Sequence, residues 1–585
     1  MKMQIRNYLT LLVLGISLSC SDDNPDGQQA NLTVGNLEVL VISTDNEPLE
    51  GAIVTTFPQT EELTTGPLGT VLFRDINIGE YEVSALLPAF VIPTIETITV
   101  VAGTTTRIEI ITGPDPIEPT PLNIDFLLQQ SYESLKGPNL FDATGYSYYW
   151  GDIGSDILYG SPSLTTNIVN LDRYNLNPGD RLIEDVWTDH YRAIRLCNMG
   201  IEAIENMDYV SDQGINESIV LGEFRFLRAV LYFNLVKIYG NPVLVTSTII
   251  DLDNPPETVQ DPLKVYELIE EDLLFAEANL DASGPSNQAS IAAAQALLGK
   301  VYLQMAGFPL LQNDKYAQAL TQFKKLEGVF ALETNYSDIF SLANEGTNGE
   351  VIFSIDFDFA MENGGNYGVN WGPLGISQQD YLWLVPGFPE YYFTMPDAVT
   401  SPVTFPIENQ DSRFFQNIAT FSLQNGTMED EEEIDNWRPY KFQKDITLST
   451  NPNEESFDFP YLRYADVLLM LAEAENAVNG PTALAYDAIN QVRRRAFGNT
   501  ENDVAPGLDQ QEFLEVLLEE RRLELCYEGA RKDDLIRTQN LQGVIDSFNQ
   551  NNAQSFKDYQ AHEYIWPIPQ VEINLNPGAV QNPGY

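Results

Sequence analysis

Hydrophobic and polar positions alternate in two rhythms along this chain, and the change of rhythm divides it. From Asn31 to Thr112 the period is two: LEVLVIS, AIVTTF, GTVLFRDI, GEYEVSALL, ETITVV and TRIEIIT are short runs rich in Val, Ile, Thr and Phe. Gly/Pro turns (DNEPLEG, TTGPLG, NIG) separate them. Alternation of this kind turns one face of each strand inward, so the spacing predicts a small all-β sandwich over residues 31–112. GPDPIEPTP, residues 113–121, predicts a semi-rigid linker.

Beyond Leu122 the period lengthens. In EFRFLRAVLYFNLVKIYG, the residues Phe224, Leu227, Leu231, Leu235 and Ile238 recur at steps of three and four, which places them on one helix face; Gly240 and Pro242 end the run. PLKVYELIEEDLLFAEANL, ASIAAAQALLGKVYLQMAG, KYAQALTQFKKLEGV, LAYDAINQVRRRAFG and EFLEVLLEERRLELCYEG repeat the pattern. So does YLRYADVLLMLAEAENAVNG, with Ala465, Leu468, Leu469 and Ala472 as its stripe. Amphipathic helices joined by short turns, with Ala at the contacts, predict TPR-like antiparallel hairpins and a mainly α body over 122–585. Between Asn335 and Pro460 the helical period lapses: VIFSIDFDFA reads as a strand, and the segment after it is dense in Gly, Asn and aromatics. An irregular stretch of that length inside a helical domain points to function.

Composition narrows the chemistry. A formal charge of −54 argues against nucleic acid and anionic lipid as partners and favours a neutral ligand. The histidines, His190 and His562, are far apart and outside metal-binding spacing, so neither a zinc site nor a His-based catalytic site is expected. Asp356 and Asp358, alternating on the predicted strand, are the weak candidates for a structural Ca²⁺; no other cofactor is expected. At the N-terminus, Lys2 and Arg6 precede an apolar run from Tyr8 to Leu18 and then Cys20, the pattern of an export signal. The Cys at the cleavage point resembles a bacterial lipobox, which implies a signal peptide over 1–20, a lipidated Cys20 and an acidic tether over 21–30. Ser21, Asp22 and Asp23 resemble the acidic tag of lipoproteins facing the cell exterior. With the signal removed, Cys197 and Cys526 form no disulfide framework.

RRLELCYEGARKDDLIR, Arg521 to Arg537, is the densest cluster of ionisable groups. Glu520, Arg521, Arg522 and Glu524 lie within about one helical turn, where opposite charges three or four apart can pair. Arg531, Asp533, Asp534 and Arg537 come next and are placed to pair with the first group. With no nucleophile beside a base, this is read as a structural clasp rather than an active site.

The helical part resembles the SusD/RagB family of outer-membrane nutrient-binding lipoproteins. The resemblance lies in EFRFLRAVLYFNLVKIYGNPVLV, FPYLRYADVLLMLAEAENAVNG, INQVRRRAFG, EERRLELCYEGARKDDLIR and YIWPIPQVEINLNPGAVQNPGY, in the family's order. The N-terminal module, through PLEGAIV, TTGPLGTVLFRDI and GEYEVSA, resembles a carboxypeptidase-regulatory-like, transthyretin-type β-sandwich. The family resemblance implies a non-catalytic lipoprotein that captures oligosaccharide and hands it to a SusC-like TonB-dependent transporter, over which it closes as a lid. Peptide or other nutrient loading is the alternative. A surface glycoside hydrolase would need two facing acids, and no pair stands out.

Glycan binding calls for aromatic platforms and hydroxyl-bonding polar groups. Two stretches supply them. FDATGYSYYWGDIGSDILYG offers Tyr149, Trp150, Asp152 and Asp156; residues 363–392 offer Tyr367, Asn370, Trp371, Tyr381, Trp383 and Tyr391. Trp150 and Trp371 lead, because Gly neighbours leave room for approach. Tyr149, Trp383, Tyr367, Tyr381, Asp152 and Asn370 complete the expected site. Trp187, at helical spacing with Tyr191, is expected in the core, and Trp437 and Trp566 in structural segments.

Overall fold

Strand β1 (Val34–Ile42) alternates buried and half-buried positions along its length, as its sequence demands. In a computed structural model, residues 33–585 are described except 44–47, 59, 61–62, 87–93, 112–121, 143–146, 162–166, 213, 249–255, 257, 259–260, 283, 358–371, 374, 376–381, 393–410, 425–426, 444–456 and 553–554. The chain forms two units, Met1–Thr120 and Pro121–Tyr585. The signal segment, Cys20 and the Pro-rich linker lie outside the described residues.

In the first unit β2 (Ile53–Phe57), β3 (Leu63–Thr64), β4 (Thr70–Asn77), β5 (Gly79–Leu86), β6 (Thr94–Val100) and β7 (Thr105–Ile111) follow β1. They build two sheets, ordered β4-β1-β7 and β3-β2-β5-β6. β1 runs antiparallel to β4 and parallel to β7. Leu37, Val39, Val41, Val54, Phe73, Val83 and Ile110 fill the space within this unit. The expected β-sandwich is present, with β3 as a short strand that the alternation does not reveal.

The second unit is a succession of packed helices. Arg181–Glu205, Glu217–Tyr239, Leu263–Asn279, Ile291–Ala306 and Lys315–Lys324 each pack on the next. Tyr464–Asn479 then packs on Lys315–Lys324, Ala483–Phe497 and Gln510–Leu525. Local chemistry sets the starts: the Ser290 hydroxyl accepts the Ala293 N–H, and Asp509 with Glu512 forms a reciprocal capping box. The expected strand appears as Val351–Ile355, paired antiparallel with Phe459–Arg463. Among the described residues no helix is long and apolar enough to cross a membrane.

Two helices depart from the single-stripe expectation. Residues 226–239 and 464–476 are buried without a break, because these helices have neighbours on every side. Burial favours pairing of their charged side chains, although the buried Asn234 amide has no hydrogen-bond partner among the described residues. Arg228 donates from Nε and Nη2 to the two carboxylate oxygens of Asp272, both at 2.8 Å, and from Nη1 to Asn198. Lys237 donates to Asp533 at 2.5 Å.

Close helix contact sets one glycine. A Cβ on Gly200 would lie 2.3 Å from the fully buried ring of Phe224 on the next helix. Helix propensity alone predicts that Gly200→Ala stabilises by about 1 kcal/mol. Overpacking predicts a loss of about 1–3 kcal/mol. We expect the loss, read as a lower midpoint in thermal denaturation; a rise would show that the two helices separate at little cost.

Candidate functional site

The two aromatic stretches are physically joined. Strand Leu158–Gly160 pairs antiparallel with Leu382–Leu384, so that Trp383 stands opposite Tyr159, and the Val385 N–H continues the ladder to the Ile157 carbonyl at 2.9 Å. After this ribbon the chain turns through Pro389–Tyr392. Phe388 and Tyr392 point inward: they pack edge to face at 5.8 Å, and the Tyr392 hydroxyl donates to the Leu523 carbonyl at 3.0 Å. Tyr391, between them, points out and is 55% exposed. The Arg522 guanidinium lies 3.9 Å from its ring centre, close enough for cation–π attraction that holds the ring in place.

Tyr391 stands at the edge of a groove of about 510 Å³. One wall is Val385–Phe388; the other comes from Glu515, Leu518, Glu519 and Arg522 and from the segment bearing Asn540, Ser547, Asn551 and Asn552. Asp156 and Arg531 also line it. The surface thus combines an aromatic ring with amides, a hydroxyl and charged groups.

The first stretch is fixed from below by the Arg521–Arg537 segment. Trp150 donates from Nε1 to Asp533 at 2.6 Å, Asp152 accepts the Gly529 N–H at 3.0 Å, and Asp156 accepts from Arg531 Nε at 2.7 Å and from Arg522 at 3.1 Å. Burial pushes the Asp152 carboxyl up to about 7, against the Gly529 N–H that favours its charged form. For Asp156 burial also acts upward, but Arg531 and Arg522 outweigh it and hold the carboxyl well below the usual range. The buried Lys532 lies over the rings of Trp150 and Tyr174, and desolvation lowers it to about 7.

That segment is a clasp, as expected, although its pairing runs mostly between elements rather than along one helix. Arg521 reaches Asp466 at 2.8 Å and Asp534 at 2.7 Å. Arg537 pairs with Asp534 at 2.7 Å and with Glu473. Glu524 receives Arg463 at 2.6 Å, Arg413 at 2.9 Å and Arg495. Burial alone would raise Glu524; the three arginines hold it well below the usual carboxylate range. Arg522 with Glu519 is one of the few pairs within a single turn.

Two expected site residues are corrected. Trp150 is 1% exposed, packed edge to face on Trp566 at 6.0 Å, and Asp152 is fully buried. The neighbouring Gly151 does not open the Trp150 face. A Cβ there would fall 2.0 Å from the Gly529 Cα, so this glycine lets two backbones touch. Trp383 is half-buried, with Arg438 over its ring at 4.9 Å and Tyr159 edge-on at 5.9 Å. Tyr367, Asn370, Trp371 and Tyr381, and the side chain of Tyr149, lie outside the described residues, as does Asp358. Trp187, Trp437 and Trp566 are buried, and Trp187 packs on Tyr191 at 4.9 Å. Asp356 accepts a hydrogen bond from Asn287. Among the described residues, no group of three or more His, Cys, Asp and Glu is arranged to hold a metal ion.

The arrangement defines a class: a TPR-like helical scaffold carrying a groove lined by one loop segment and by helices. Residues 397–585 match the model of the SusD family, and residues 142–303 match a SusD-like model described as starch-binding and associating with the outer membrane. A SusD-like protein, P25, of Formosa agariphila is 26% identical over 504 residues, which span 78% of this chain and 90% of that protein. A crystal structure of a SusD homolog from Bacteroides thetaiotaomicron aligns with a TM-score of 0.66 at 25% identity, covering 79% of this chain and 96% of the other. A structure described as a laminarin-binding SusD-like protein aligns with a TM-score of 0.63 at 24% identity, over 79% and 100% of the two chains. Over its helical unit the chain is thus similar to SusD-like proteins in both sequence and fold.

The burial of Trp150 fixes what its removal does. Trp150→Ala is expected to cost about 3–5 kcal/mol, as for other large core residues, measured by denaturant unfolding. A variant as stable as the parent, with glycan binding alone weakened, would restore Trp150 to the ligand surface.

Proposed function

We propose that this protein is a non-catalytic, cell-surface glycan-binding lipoprotein. It captures oligosaccharide in the groove edged by Tyr391 and delivers it to a SusC-like TonB-dependent outer-membrane transporter, closing over that channel as a lid. Lipidation of Cys20 anchors it in the outer membrane, facing the exterior. The observation that carries this reading is the outward ring of Tyr391, backed by Arg522, above a groove lined with Asn540, Asn551, Asn552 and Ser547. An aromatic face takes the apolar side of a sugar ring while amides and hydroxyls satisfy its oxygens. A shallow site of this kind binds reversibly, as delivery requires. The laminarin-binding relative of the same fold supports carbohydrate as the ligand class. Trp371, Tyr367, Tyr381, Tyr149 and Asn370 are further ligand candidates on their sequence, because they precede the paired strands Leu158–Gly160 and Leu382–Leu384 along the chain.

Tyr391→Ala is expected to weaken retention by the polysaccharide that retards the parent protein in affinity electrophoresis about tenfold, worth about 1.4 kcal/mol. Its melting temperature should be unchanged, and Tyr391→Phe should keep the binding. Equal retention by the Ala variant would place the ligand elsewhere, and reducing ends released from the polysaccharide would contradict the non-catalytic reading.

A further inference from the structure

The arginines at the floor of the groove are the groups that would recognise sulfate or carboxylate, and none of their charge is left over. Arg531 grips Asp156 with two parallel hydrogen bonds, Nε to Oδ1 at 2.7 Å and Nη2 to Oδ2 at 2.6 Å, and its Nη1 donates to the Leu518 carbonyl at 2.9 Å. Arg522 donates from Nη1 to Asp156 at 3.1 Å and from Nε and Nη2 to Glu519 at 3.0 and 2.5 Å. The fork geometry by which arginine binds oxyanions is thus occupied from within the chain. Glu515 also lines the groove, so carboxylates outnumber guanidiniums on its surface.

The sequence flanking the groove supplies no replacement. No Lys or Arg occurs from Gly137 to Asp172, nor from Leu326 to Ser412, the stretches that contain the two joined strands. Acidic residues recur in both, and the whole chain carries −54. A polyanion would meet repulsion that no basic residue of these two stretches offsets.

From this we infer that the groove selects uncharged oligosaccharide, and that Asp156 sets the selection by neutralising Arg522 and Arg531. This rests on the glycan-capture reading and adds the ligand's charge class. Asp156 acts through the two arginines, so it is a positioning residue whose removal changes which polymer binds.

The test is affinity electrophoresis of the full chain in gels cast with neutral laminarin, amylopectin or galactomannan, and with anionic carrageenan, alginate or polygalacturonate. The parent is expected to be retarded by at least one neutral polymer and by none of the anionic ones, with no loss on raising the salt. Asp156→Asn is expected to gain retardation by an anionic polymer, about tenfold in apparent affinity, as one freed charge-assisted contact would supply. Should that variant not fold, as judged by circular dichroism, Glu519→Gln frees Arg522 from its more exposed partner and is expected to give the same gain. Retardation of the parent by an anionic polymer would overturn the charge selection while leaving glycan capture standing. So would a folded variant without the gain. No retardation by any polymer would overturn glycan capture, and the selection with it.

Discussion

Glu524 has no contact with water and sits among three guanidinium groups, those of Arg413, Arg463 and Arg495. A buried carboxylate is tolerable only with full pairing, and stripping away one partner costs about 3–5 kcal/mol. That requirement ties together segments far apart in sequence: Arg413 also holds Asp411 and Glu520, and Arg463 also holds Glu350 and Glu528. Hydrophobic packing alone allows helices to slide; a network with directional bonds fixes their register. The neighbouring pairs of Arg521 and Arg537 extend the same constraint to the helix Tyr464–Asn479.

The clasp matters for function because the first aromatic stretch rests on it. Asp533, Gly529, Arg522 and Arg531 receive Trp150, Asp152 and Asp156 in turn. The ribbon Leu158–Gly160 then carries this fixed position to Leu382–Leu384, and Phe388 with Tyr392 finishes the anchoring. Tyr391 is left outside as a consequence. Buried contacts on both sides thereby hold a surface ring in place, and the order that a bound sugar would otherwise have to impose is already present. The same arginines shape the groove's charge, so scaffold and specificity share residues.

Periodicity made the architecture readable in advance. Alternation over residues 31–112 and the three-four spacing after Leu122 correspond to the two units, and the dense opposite charges of Arg521–Arg537 pointed correctly to a clasp. The site was harder to read. Trp150 looks available in sequence because glycine comes after it, yet Gly151 is small to meet Gly529, a contact between residues hundreds of positions apart. Tyr391 carries no local sign that distinguishes it from Tyr392; only the inward turn of its neighbours does so. The partners of Asp156 lie far along the chain, so the neutralised arginines had no signal in sequence. Local pattern encodes local periodicity, whereas exposure of one ring is a property of the tertiary arrangement.

The clasp positions the groove wall. Gly151→Ala tests this most directly, because the added Cβ, 2.0 Å from the Gly529 Cα, pushes the stretch off the clasp without substituting any residue of an ion pair. Hydrogen–deuterium exchange should show peptides spanning 150–160 and 382–391 losing protection together, while the helix Tyr464–Asn479 keeps its own. Unchanged exchange in 150–160, or protection in 382–391 that survives its loss, would contradict the account.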